Sequence, residues 1–123
     1  MDKLINISGQ QFYSSTIDQT IEQCTPNKKC AIIVDENCLA EFIACGKEIV
    51  RNSVNQIIVV SENLNAVYPL FEGENVLLIS AVSIEEAIKV AVFSTELSND
   101  VVYVSNKEAA ELQYVVELLS VVS

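Results

Sequence analysis

The chain has 123 residues, half of them hydrophobic, which suits one domain with a core of its own and excludes a disordered tail. Its formal charge of −10, with seven scattered basic residues, argues against nucleic acid and anionic membrane surfaces as partners. The absence of histidine excludes Ser-His-Asp and Cys-His catalysis and removes the commonest general base at neutral pH.

Leu4 to Ile7 reads as a short apolar strand that ends at Ser8-Gly9. Ser14 or Ser15 can cap a helix running to about Gln23, with Ile17 and Ile21 one turn apart on its buried face. Thr25-Pro26-Asn27 breaks that helix. Cys30 to Val34 is a continuous apolar run, the pattern of a strand covered on both faces. Asp35 or Asn37 caps a second helix with Leu39, Phe42 and Ile43 on its apolar stripe; Ile49 or Val50 extend the stripe unless Gly46 ends the helix early. Gln56 to Val60 is the next buried strand. A short helix from about Glu62 carries Leu64, Val67 and Tyr68, with Pro69 near its end, and Asn75 to Ile79 is another strand. Ser83-Ile84-Glu85-Glu86 is a capping box, after which Ile84, Ala87, Ile88 and Ala91 recur at helical spacing. Val101 to Val104 is the last strand, and a final helix spans about Lys107 to Leu119 with Ala109, Leu112, Val116 and Leu119 on one side.

Strands rich in apolar and β-branched residues alternate with amphipathic helices in five βα units. The expected fold is therefore α/β: a Rossmann-like three-layer sandwich. Its sheet is mostly parallel, with five or six strands, and helices cover both faces. One domain covers residues 1–123. The apolar stretches, among them Ile57 to Val60 and Val76 to Ile79, are strand-sized and far below the ~20 residues of a membrane span. The start MDKLINISGQ has no basic leader before an apolar segment, so a cytoplasmic location is expected.

Ligands of such sheets bind beyond the carboxyl ends of the strands. Ser8, Asp35, Ser61, Ser80 and Ser105 stand at those ends and form a candidate polar rim. Serine also starts turns and caps helices at such positions, so the rim has a purely structural reading beside the functional one. Asp35-Glu36 could hold a metal or simply stabilise a helix N-terminus. The cysteines at 24, 30, 38 and 45 have spacings of 6, 8 and 7, which fits no usual zinc pattern. They read as small buried hydrophobes, with a Cys24–Cys30 bridge as the competitor. Three glycines in the whole chain leave no phosphate-binding loop, and no metal site and no catalytic residue is assigned.

Three stretches resemble the C-terminal domain of Mur ligases, in particular the ligase that adds D-glutamate to UDP-N-acetylmuramoyl-L-alanine. Leu4 to Ser8, followed by Ser14 to Ile17, is similar to the family's I-N-D-S-K-A-T-N segment and its helix. Lys29 to Asp35 is similar to the strand before the G-G-x-D-K turn. Ala81 to Ala87, with Asp100 to Ser105, is similar to the S-M-E-E-A helix and the D-V-V-L-L-S-P strand. The resemblance implies a peptidoglycan-precursor ligase that uses ATP and magnesium, and it adds Asn6 to the candidate ligand contacts. It also departs where chemistry needs it: Ile7 and Gly9 replace the aspartate and lysine, and the G-G turn is absent. Phosphoryl transfer depends on positioned cations, so the expected role is a free-standing, non-catalytic binding module with no cofactor of its own. ATP and magnesium enter if the ligase function survives.

Two further readings stand beside it. One is a fragment of such a ligase that works with other domains. The other is an oligomerising module: the tail from Val115 to Val122 is apolar nearly all round, so Val116 and Leu119 can pack against another chain.

Overall fold

The computed structural model describes residues 2–7, 10–14, 16, 19, 30–45, 54–61, 64–65, 67–71, 76–93 and 101–105. Six strands form one sheet: β1 (Asp2–Ile7), β2 (Gln10–Ser14), β3 (Cys30–Asp35), β4 (Val54–Val60), β5 (Leu77–Ala81) and β6 (Val101–Ser105). Their spatial order is β1-β2-β6-β3-β4-β5. The pairings β2–β6, β6–β3, β3–β4 and β4–β5 are parallel, and β1 runs antiparallel to β2 at one edge. The expected mostly parallel sheet is therefore present, with six strands.

Three described helices cover it: α1 (Leu39–Ala44), entered through a 3-10 turn at Glu36–Cys38, α2 (Tyr68–Phe71) and α3 (Ile84–Phe93). Strand side chains alternate between the two faces, as a pleated strand requires. Ala31, Ile33, Ile58, Val102 and Val104 join Ala87, Ile88 and Ala91 of α3 in one core. Ile32, Val34, Ile57, Val59 and Tyr103 join Phe42 of α1 and Phe71 of α2 in the other. The sheet thus has helices on both faces, the three-layer arrangement. The step from β3 to β4 carries α1 on one face, and the reverse step from β5 to β6 carries α3 on the opposite face. Reversing both direction and face keeps the same crossover hand.

Several boundaries differ from those expected. Ser14 does not cap a helix: Gln10–Ser14 is a strand, with Ile7 paired to Gln10 across the two-residue connection. The glutamines hid it, because Gln10 and Ser14 are buried beside Phe12 where apolar residues are the usual occupants. The helix signal lies at Thr16. The Thr16 amide donates to Gln19 Oε1 at 3.1 Å, and the Gln19 amide donates to Thr16 Oγ1 at 3.2 Å. That is a reciprocal capping box, with Gln19 in helical conformation. The helix expected from Glu62 is described at Tyr68–Phe71, so Pro69 sits in its first turn, where a missing N–H breaks no intrahelical bond. The strand expected at Asn75 to Ile79 is Leu77–Ala81. Gly46, Ile49, Val50 and the final helix lie outside the described residues.

The capping box at Ser83 is in place on its serine side: the Glu86 amide donates to Ser83 Oγ at 3.1 Å. Ala87, Ile88 and Ala91 of α3 are fully buried. Two alanines in that stripe let the helix backbone lie close to the sheet, and Ile88 supplies the larger apolar area, about 1.5–3 kcal/mol for its full burial. Cys30 and Cys38 are buried thiols among apolar neighbours, as expected of small hydrophobes. Cys24, the other half of the competing bridge, lies outside the described residues.

Candidate functional site

The strands β3, β4 and β5 step outward in one direction, and the chain then returns to place β6 on the other side of β3. Strand order therefore reverses between β3 and β6. Such a point is where ligands of doubly wound sheets usually bind.

Asp35 ends β3 and Ser105 ends β6. Ser105 pairs with Val34, so the two polar residues are one register position apart on strands about 4.8 Å apart. Alternation puts Ser105 on the face of Val34 and Tyr103, and Asp35 on the face of Ala31 and Ile33. The two side chains thus stand on opposite faces of the sheet at this edge. Asp35 is half-buried and Glu36 and Asn37 are exposed. Asp35 precedes the 3-10 turn but makes no side-chain capping bond, so its carboxylate is not occupied by the role its position suggested. Ser105 is fully buried, and its Oγ has no hydrogen-bond partner among the described residues.

The other candidates separate from this pair. Ser80 Oγ donates to the carbonyl of Ser61, tying the end of β5 to the chain that leaves β4. The Ser61 amide donates to the Val59 carbonyl at 3.0 Å. Ser61 and Ser80 therefore brace a turn, the structural use of serine. Asn6 is at the other end of the sheet: β1 is antiparallel, and Asn6 pairs with Gln11 near the start of β2. The expectation that the first strand ends at the carboxyl edge is corrected for that reason. Ser8 lies outside the described residues. Ser14 takes the vacated place, at the carboxyl end of β2 and paired with Val104, and it is buried. The Ser8-Gly9 dipeptide was the available turn signal for that hairpin.

The edge is poor in the donors that ATP and magnesium need. Asp35 and Glu36 are its carboxylates among the described residues, and no described group of three or more acidic or thiol side chains could hold a metal. Lys89, the cation whose side chain is described, is on α3 and pairs with Glu85 at 3.3 Å.

Fold and edge together define a doubly wound α/β domain with a switch point between β3 and β6. No family model, no curated protein and no solved structure matches the chain. Among the described residues no helix is long and apolar enough to cross a membrane.

Proposed function

We propose that the chain is a non-catalytic binding module that takes a small polar ligand at the carboxyl edge, between Asp35 and Ser105. The observation that carries this reading is the buried Ser105 hydroxyl, without a partner among the described residues, beside the reversal of strand order. A buried hydroxyl left unpaired costs about 1–3 kcal/mol, which a ligand group bonded to it offsets. The neighbouring Asp35 carboxylate favours a neutral or cationic ligand over a phosphate.

Descent from a Mur ligase C-terminal domain, and with it a bacterial cytoplasmic setting in peptidoglycan-precursor synthesis, is part of the same proposal. Its support is the third similar stretch, where a capped helix at Ile84–Phe93 precedes a strand at Val101–Ser105. The first stretch differs from the family's pattern, because the strand β2 at Gln10–Ser14 separates Leu4 to Ile7 from the helix signal. Leu4 to Ile7 lies instead in β1, antiparallel to β2, and the Thr16–Gln19 cap follows β2, so the first stretch lends the proposal no support.

The test is thermal melting of the chain and of Asp35→Asn with neutral sugars, amines, ATP–magnesium, D-glutamate and a UDP-muramoyl peptide. A native-state ligand at a hundredfold its Kd stabilises by about 2.7 kcal/mol. The expected result is a raised Tm with a neutral or cationic compound, lost in Asp35→Asn. A rise confined to ATP–magnesium or D-glutamate would support the ligase-fragment reading instead. No rise with any compound would remove the ligand-binding reading.

A further inference from the structure

Asp35 and Ser105 offer two unlike environments to a ligand at the carboxyl edge. They are one register position apart on adjacent strands, which sets their Cα atoms about 6 Å apart, and their side chains stand on opposite faces. Asp35 is half-buried and its carboxylate makes no capping bond. Ser105 is fully buried, and its Oγ has no hydrogen-bond partner among the described residues.

Burial decides what each side chain can take. A charged group brought to the buried Ser105 hydroxyl loses its hydration and gains no opposite charge in return, so a neutral group suits that end. A hydroxyl matches it best, because each hydroxyl can both donate and accept. A cation brought to Asp35 gains the carboxylate as counter-charge and, at a half-buried position, keeps water on its open side. The whole chain adds to that preference, since a body of formal charge −10 concentrates cations around itself and repels anions.

Resting on the reading of this edge as a ligand site, we infer that its ligand is a small organic cation with two unlike ends: a primary ammonium held by Asp35 and a hydroxyl held by Ser105. A short linker joins them across the end of the sheet. A zwitterion is a poorer match, because its carboxylate would be desolvated at Ser105 inside a body of like charge. Charge class therefore separates this ligand from the D-glutamate of the ligase reading.

Titration of the full chain, followed by NMR of its backbone amides, tests the inference with propanolamine, propylamine, propanediol and β-alanine. In that order they carry both ends, the ammonium alone, hydroxyls alone, and an ammonium with a carboxylate. Propanolamine is expected to bind about tenfold more tightly than propylamine or propanediol, to shift the amides of Asp35 and Ser105, and to weaken as salt rises. Asp35→Asn lowers its affinity to that of propanediol, and Ser105→Ala lowers it to that of propylamine. Ser105→Ala removes an unpaired buried hydroxyl and is expected to fold at least as well as the unaltered chain. The ranking and the salt dependence need no variant. Tightest binding of propanediol, indifferent to Asp35→Asn and to salt, overturns the inference and leaves a neutral-ligand site at the edge. Tightest binding of β-alanine also overturns it. So does the absence of a shift at either amide with all four compounds; a Tm rise with a neutral sugar then keeps the edge as a ligand site, and no rise with any compound removes both readings.

Discussion

On one face of the sheet, α3 runs for ten residues behind a serine cap and lays Ala87, Ile88 and Ala91 against the strands. On the other, α1 has six residues and α2 four, and neither start has a described side-chain cap bond. Helices this short are not stable alone in water. They are held by aromatic packing: Phe42 of α1 and Phe71 of α2 stack with ring centroids 5.8 Å apart, and Tyr13 stacks on Tyr103 across β2 and β6 at 5.9 Å. One face is therefore specified to a large extent by local signals along a single helix. The other is specified by side chains that meet from distant parts of the sequence.

The largest expected effect breaks the second face. Phe42 is fully buried, so Phe42→Ala removes the contact between α1 and α2 and should cost about 3–5 kcal/mol in urea unfolding. A loss under about 1 kcal/mol would mean that those short helices are held by something else. The next effect separates the faces directly. Ser83→Ala removes a cap bond and should cost about 1 kcal/mol, whereas Asp35→Ala, at a start with no cap bond, should stay within about 0.5 kcal/mol. Equal losses at the two positions would erase the contrast. The smallest effect lies on the exposed side of α3. The Glu85–Lys89 pair is half-exposed on both partners, and breaking it with Lys89→Ala should cost no more than about 0.5 kcal/mol, less at high salt.

The same division explains what could be read ahead of the coordinates. β3, β4 and β6 were legible as unbroken apolar runs because strands covered on both faces need no polar side. α3 was legible from its cap and its 3.6-residue stripe. β2 was not: its buried positions include Gln10 and Ser14, so its alternation is of burial and not of hydrophobicity. The Thr16–Gln19 box follows the same rule as the Ser83 cap, but Ser14 and Ser15 directly before it offer competing cap positions in the sequence. The antiparallel pairing with β2 also turns the first strand round and carries Asn6 to the end of the sheet opposite the carboxyl edge. Among the candidate ligand residues, Asp35 and Ser105 were correctly placed at strand ends, but their adjacency could not be read, since 70 positions separate them in the sequence.

Composition and periodicity by themselves determined the class of this protein: an α/β domain with a mostly parallel sheet and a carboxyl edge lined by serines and one aspartate. Those properties are local, set by which residues are apolar and at what spacing. Tertiary structure alone decided the strand order, and with it the meeting of Asp35 and Ser105 and the bracing of Ser61 by Ser80. Strand order depends on which faces find each other across crossovers, and no window of sequence contains both partners of such a contact.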